Sequence, residues 1–597
     1  MVEPSIDAAS SRRASMLSLC MLALVVGVVT GYGAVVFRAL VALIHNVAFY
    51  GVFSINYDAN LLTAPSTWGP LVILVPVIGG LFVVFLVNTF APEAKGHGVP
   101  EVMNAIYFEQ GRIRPMVALV KSVASSLSIG TGASVGREGP IIQIGSSLGS
   151  SIAQMFNLQT GQRITLLAAG AGAGIAATFN TPLGAVLFAI ELMMPEVSTR
   201  TFLPVVIATG AATYIGRISF GLAPAFEVPL AAVPQVSAVD LQALIVYVVL
   251  GLLCGIAAWA LIRSMLVTST LFKKMPGNDY TRHAVGMLSI GILMYVLLLT
   301  GGNYYVDGVG YGVIQEILRG TMTSLPLLVI LFFAKLYATS VSIGSGASGG
   351  VFSPSLFVGA TLGAAVGVVG NLIFPDAGIT PVEFALVGMG GVVAAGTGAA
   401  MTAIIMIFEM TRDYNIIVPL VVAVAIALGF RRMIISETIY TSKLVLRGRH
   451  IPKERHSNMF MVHPVREIMT SDQIYIDASL RVSEVIEKIG PSPVAKPLVV
   501  MEGGRIAGVI PDVTALYAVA GDQGHKALKE VIKEDFVVVV DDMNMYDVIK
   551  RMERRKARAA VVVRPCRGVP RQDDIRGVIT KSHIADSVVS SMQHYIG

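Results

Sequence analysis

Gly130-Thr131-Gly132-Ala133-Ser134-Val135-Gly136-Arg137-Glu138-Gly139-Pro140 returns in altered form as Gly344-Ser345-Gly346-Ala347-Ser348-Gly349-Gly350-Val351-Phe352-Ser353-Pro354. Each copy is a glycine loop that ends in a proline and runs into an apolar stretch. Glycine lets the backbone bend back and expose its N–H groups, and proline favours the first turn of a helix. A helix start carries unpaired donors and about half a positive charge, which makes it a ready anion site. Two such starts in one chain predict two broken helices converging on one ion. The copies differ where it matters: Glu138 in the first stands where the second has Phe352.

Composition sets this loop pair in a bilayer. The 597 residues are 54% hydrophobic and 14% charged, far from an ordinary soluble domain, with room for a large membrane domain and a soluble one. The formal net charge of +6 follows from basic residues gathering on cytoplasmic faces and calls for no nucleic-acid partner. Cys20, Cys254 and Cys566 are odd in number and far apart, so no disulfide or metal framework is expected. Residues 1–15 read as a cytoplasmic tail. The apolar run from Met16 is too long for a signal peptide and lacks a cleavage pattern, so it reads as a first crossing that ends near Tyr50. No Lys or Arg lies between Arg38 and Lys95. The polar loop at Asn56-Tyr57-Asp58 therefore faces outward, and the chain is back at the cytoplasm near Lys95.

Short segments of uneven hydrophobicity follow, among them Pro140–Phe156, Ile164–Thr178 and Pro182–Met194. Several are too short to span a core of about 30 Å. Irregular backbone at membrane depth is tolerated only inside protein or along a cavity, and broken helices at matching places in two halves point to a transport site. The second half does match. Ala176-Ala177, Ala185 and Glu191 fall opposite Ala394-Ala395, Ala403 and Glu409, at nearly the spacing of the glycine loops. The repeat halves are about 16–217 and 240–446, and the inverted arrangement common in membrane repeats is expected. A basic linker, 447–464, leads into a soluble tail, 465–597. There two strand–turn–strand units, around Gly503-Gly504 and from Ala559 to Thr580, each follow an amphipathic helix. The fold expected is an all-α polytopic membrane domain, 16–446, with an internal repeat and broken helices, followed by a tandem α/β pair.

Several stretches are similar to the CLC family of chloride channels and chloride/proton exchangers. Gly96-His97-Gly98-Val99-Pro100 stands where that family has a G-S-G-I-P loop. Gly136-Arg137-Glu138-Gly139-Pro140 matches its G-R-E-G-P motif, and Gly350-Val351-Phe352-Ser353-Pro354 its G-x-F-x-P loop. Phe179-Asn180-Thr181-Pro182 and Phe408-Glu409-Met410-Thr411 are further family-like runs, and Tyr440 fits the family's anion-contacting tyrosine. The tail resembles a tandem CBS pair. The resemblance implies chloride or another small anion as ligand, a lipid-embedded homodimer with one pathway per subunit, a multi-pass place in the cell membrane, and both termini in the cytoplasm.

By resemblance Glu138 is the gating glutamate, whose carboxylate competes with the anion and swings away on protonation. An ionisable residue within the membrane is a functional hypothesis by default. The anion contacts would come from His97, Gly98, Val99, Gly136, Arg137, Gly139, Val351, Phe352 and Tyr440. Arg137 and Lys121 read as background positive potential or as structural ion pairs. His97 departs from the family's serine, and histidine titrates near neutrality. It could donate to the anion, narrow the inner mouth, make cytoplasmic pH matter, or simply point elsewhere. The internal glutamate that passes protons in the family's exchangers falls at Leu192, which cannot carry one. Channels of the family are apolar there, so the expectation is a voltage- and pH-dependent chloride channel, with a weakly coupled chloride/proton antiporter as the alternative. A CBS-containing divalent-cation transporter is the reading from another class, and it sits badly with loops that offer donors instead of oxygen ligands. No catalytic set and no metal site are expected, and no cofactor is required. An adenine nucleotide site in the tail would involve Thr514, Thr580 and His583, but both repeats lack the usual Asp that follows the hydroxyl residue.

Overall fold

The computed structural model describes residues 14–229, 241–451, 459–490, 496–511, 516–517, 523–532, 535–566 and 568–593. The chain divides into two compact units, Met1–Arg455 and His456–Gly597.

The first unit is helical throughout. Its elements are α1 (Met16–Tyr50), α2 (Val75–Phe90), α3 (Val99–Phe108), α4 (Met116–Gly130), α5 (Glu138–Met155), α6 (Thr160–Phe179), α7 (Pro182–Phe188) and α8 (Thr199–Phe220). The second half continues with α9 (Leu241–Lys274), α10 (Asp279–Gly301), α11 (Tyr311–Leu318), α12 (Leu325–Ser345), α13 (Phe352–Ile373), α14 (Pro381–Thr397), α15 (Ala400–Thr411), α16 (Ile417–Ile434) and α17 (Thr441–Val445). Among the described residues, eight helices are long and apolar enough to cross a membrane, with shorter helices between them. This is the polytopic, broken-helix fold expected.

The inner face is defined here as the side on which α1 begins. A buried set of reciprocal bonds relates the halves. Gly136 and Gly350 exchange N–H···O=C bonds of 2.7 and 2.6 Å, an antiparallel bridge between equivalent residues. Ser342 Oγ accepts from the Ser134 N–H and Ser128 Oγ from the Ser348 N–H, both at 3.1 Å. The Glu191 carboxylate accepts from the Met401 and Thr402 N–H groups at the start of α15, at 3.3 and 2.9 Å. Glu409 returns the favour at the start of α7, from Leu183 and Gly184 at 3.1 and 2.7 Å. Each carboxylate thereby caps two of the orphan donors every helix start leaves.

The repeat is inverted. Lys121 on α4 donates to Ala94 O and Gly96 O at 2.9 and 2.7 Å. Lys335 on α12 donates to Val306 O and Gly308 O at 3.1 and 3.2 Å. The first of these loops lies on the inner face, after the chain has crossed and returned. Lys95 bonds Asp279 at 2.8 Å and so anchors the start of α10 there too, which sends the 302–310 loop to the outer face.

Glycines let the helices of each half touch backbone to backbone. A Cβ on Gly145 would lie 2.1 Å from Gly170 O, and one on Gly359 would lie 2.4 Å from Gly388 O. The α5–α6 and α13–α14 crossings thus use the small-residue contacts favoured where lipid supplies no hydrophobic drive.

The second unit holds two three-stranded sheets, β1-β2-β3 and β4-β5-β6. Strands β1 (Ile474–Asp477) and β2 (Leu498–Glu502) pair in parallel, and β2 pairs antiparallel with β3 (Arg505–Ile510). Strands β4 (Phe536–Val540), β5 (Ala559–Val563) and β6 (Ile575–Thr580) repeat that order, with a register shift at the matching place in each antiparallel pair. One core cluster joins Val499 and Val509 to Val561 and Val578, so the two sheets share apolar faces. The α/β tandem read from the sequence is present.

Gly145→Val and Gly359→Val act as a matched pair. Each lowers the thermal unfolding temperature in detergent through a loss of about 3 kcal/mol by overpacking. Gly429→Ala, inside α16 with open space beside it, does not lower that temperature, since alanine is the better helix former.

Candidate anion site

Three helix starts meet at the centre of the first unit. Those of α3 and α5 approach from the inner half and that of α13 from the outer. Gly96 and Gly98 sit at φ of +84° and +81°, the left-handed region open to glycine at little cost, and this turns the chain into α3. Close approach fixes the remaining glycines. A Cβ on Gly98 would lie 2.7 Å from Gly139 O, and one on Gly139 would lie 2.2 Å from His97 O and 2.9 Å from Gly350 Cα. The loops that carry Gly98 and Val99, Gly136 to Gly139, and Val351 and Phe352 are therefore in direct backbone contact. Val99, Val351 and Phe352 are buried with them.

Glu138, only 1% exposed, occupies the donors of α13. Its Oε2 accepts the Ser353 hydroxyl at 2.7 Å and the Ser353 N–H at 3.3 Å. Its Oε1 accepts the Tyr311 hydroxyl. A Cβ on Gly136 would lie 2.2 Å from Glu138 Oε2 and 2.4 Å from Ser353 Oγ, so the absent side chain is the space the carboxylate fills. Arg137 lies over two rings, with Cζ 5.0 Å from the Tyr311 centroid and 5.5 Å from that of Phe179. It adds positive potential beside the carboxylate. Neither Arg137 nor Lys121 bears out the ion-pair reading: Lys121 is bonded to loop carbonyls instead.

On the inner side, the His97 ring lies 6.2 Å from that of Tyr440. Both are buried, and His97 Nδ1 has no hydrogen-bond partner among the described residues. His97 lines an inner cavity of about 280 Å³ whose charged lining is Lys95, Lys273, Arg282, Lys443 and Arg447 with one acid, Asp279. Glu101 on α3 clamps the Tyr440 segment in place, bonded to Lys443 at 3.0 Å and to both ends of the Arg447 guanidinium at 2.9 and 2.8 Å. Burial alone would raise the Glu101 carboxyl, but the two cations outweigh it and hold it at about 2. The stability this clamp adds is present above the ordinary glutamate range and is lost only as pH falls towards that value.

The remaining predicted residues lie elsewhere. Leu192 is buried in a π turn, Ala189–Met193, that continues α7. In the second unit, Thr580 Oγ is 2.7 Å from Ser582 Oγ and 3.1 Å from His583 Nδ1, so that hydroxyl is engaged in its own turn. Thr514 lies outside the described residues.

Tyr311 and Ser353 hold Glu138 and were not picked out from the sequence. The signal for Tyr311 was present. Gly308-Val309-Gly310-Tyr311 is the repeat counterpart of Gly96-His97-Gly98-Val99, with Gly308 and Gly310 again at positive φ, +48° and +80°. The two loops hold the same relation to Lys335 and Lys121.

The profile of the voltage gated chloride channel family matches residues 79–432, and the CBS domain profile matches residues 528–590. The chain is 32% identical over 413 residues to the H(+)/Cl(-) exchange transporter ClcA of Salmonella agona, covering 68% of this chain and 84% of that one. It is 34% identical over 375 residues to ClcA of Vibrio cholerae serotype O1, covering 60% and 76%. Among solved structures, a slow cyanobacterial Cl-/H+ antiporter aligns with a TM-score of 0.63 at 26% identity, over 73% of this chain and 99% of that one. A eukaryotic CLC transporter shares the fold over 95% and 98% of the two chains, with a TM-score of 0.61 at 19% identity. The channel reading drawn from Leu192 is thus less well supported than its alternative, since these relatives carry the names of exchangers. The chain belongs to the CLC, or voltage-gated chloride channel, family.

Proposed function

We propose that this protein moves chloride across the membrane in exchange for protons, with Glu138 as the group that both blocks the anion path and takes up the proton. One observation carries the reading: the Glu138 carboxylate sits on the hydroxyl and N–H of Ser353, at the start of α13. Those are donors a chloride ion would use. Anion and carboxylate then exclude one another, and protonation of Glu138 removes the charge that wins the donors. The names of the relatives support exchange over simple conduction.

The anion contacts are assigned to the starts of α3, α5 and α13 and to Tyr440, with His97 at the inner mouth. Dehydrating chloride in a low-dielectric interior is costly, and a conducted ion must also leave. Several partial charges meet both demands better than one full charge. The cations around the inner cavity raise the local anion concentration. Leu192 carries no proton, so coupling is weak. The homodimer, the cell-membrane setting, the cytoplasmic termini and the independence from any cofactor, nucleotide included, go with this reading.

In liposomes containing the purified protein, the reversal potential shifts when a proton gradient is imposed. A potential fixed by chloride alone makes the protein a channel. Glu138→Gln and Glu138→Ala give chloride flux that no longer varies with pH, and a retained pH response removes Glu138 from the gate. His97→Ser changes the chloride-to-nitrate permeability ratio, and identical ratios dismiss His97 as a selectivity element.

A further inference from the structure

Oε2 of Glu138 rests on Ser353, at the start of α13; Oε1 rests on Tyr311, at the start of α11. We propose that Tyr311 is the latch of the gate: its hydroxyl holds the Glu138 carboxylate in the closed position and sets the proton concentration at which the path opens. The proposal rests on the gating role given to Glu138 above.

The ring is built to hold its place. Tyr311 is 1% exposed and opens α11 directly after Gly310. Phe226 meets it edge-on at 5.2 Å between centroids, Phe179 at 6.3 Å, and the Arg137 guanidinium covers a face at 5.0 Å. Phe226 is itself fixed by its N–H bond to Met410 O at 3.1 Å. With the ring fixed on these sides, the hydroxyl is directed at the carboxylate without a flexible arm. Tyr311 also lines a small outer cleft with Tyr57, Thr63 and Asp307, where Thr63 donates to Asp307 at 2.6 Å. The latch therefore stands between the gate and the outer face.

A hydroxyl bonded to a carboxylate makes a stronger bond than one to a neutral carboxyl. It therefore favours the closed, ionised gate over the protonated gate that leaves. Other groups act on the same balance. Arg137 lies beside both residues, and Arg38 on α1 acts on Tyr311. Lys335 on α12 and Tyr440 from the inner side act on Glu138, and Asp307 acts on Lys335. All of them remain when only the Tyr311 hydroxyl is removed, so that change isolates the latch.

The test is chloride efflux from liposomes over a range of external pH, for the full chain. Tyr311→Phe moves the half-activating pH upward by about one unit, the size expected for losing one bond to a charged acceptor. Its flux at neutral pH rises, and its rate at saturating acidity matches the wild type. In a Glu138→Gln background the same substitution changes nothing. An unshifted midpoint in Tyr311→Phe, alongside a pH-flat Glu138→Gln, overturns the latch and leaves the gate standing. A Glu138→Gln protein that still responds to pH overturns the gate itself. Should Tyr311→Phe fail to assemble, Tyr311→Leu, which also lacks the hydroxyl, must give the same upward shift.

Discussion

Two backbone hydrogen bonds exchanged between Gly136 and Gly350 hold the centre of this molecule. Each residue ends a glycine loop and precedes a helix start, so pairing them brings the start of α5 against that of α13 from opposite sides of the bilayer. Any side chain at Gly136 or Gly350 would strike the carboxylate, Ser353 or the backbone of Gly139. The pairing also answers the accounting problem of irregular chain inside a membrane, where an unpaired N–H or C=O has no water to turn to. The serine pairs that flank it, Ser134 with Ser342 and Ser128 with Ser348, extend the same solution outward.

The two buried lysines belong to this arrangement. Each ammonium gathers two loop carbonyls, Lys121 those of Ala94 and Gly96, Lys335 those of Val306 and Gly308. Carbonyl oxygens turned to a lysine are turned away from the path. The N–H ends of the helices that follow are left to define its electrostatics, and the positive charge of the lysine is absorbed locally. On the proposed reading, the path then presents partial charges to a passing anion and one full negative charge, Glu138, able to block it.

Much of this was legible in the sequence because helix breaks are written in glycine and proline. The loops at 96–99, 136–139 and 350–353, the repeat, and Glu138 could all be read before any coordinates. Tyr311 could not be read as directly. Its loop, Gly308-Val309-Gly310, carries no helix-opening proline, and nothing in a local pattern says that a tyrosine will face a carboxylate far away along the chain. Only extending the repeat to that loop would have placed it opposite Val99. Lys121 reads in the sequence as a background charge or an ion-pair partner, and its counterpart Lys335 is not picked out, for a related reason. Sequence spacing suggests ion pairs readily, but it does not reveal a carbonyl cradle, since every residue carries a carbonyl. Leu192 shows a further limit: the absence of one acid weighed towards a channel, while the ClcA relatives carry the name of exchangers.

The inverted repeat has a consequence for direction. A frame whose halves are related by a twofold rotation about an axis in the membrane plane has no intrinsic inside or outside. A pathway built from it alone would look the same to an ion arriving from either compartment. Vectorial behaviour must then reside where counterpart residues disagree, among them Glu138 against Phe352, Gly139 against Ser353, His97 against Val309, Val99 against Tyr311, and the unmatched Tyr440. The glycines and lysines make the conduit, and those mismatches give it a polarity.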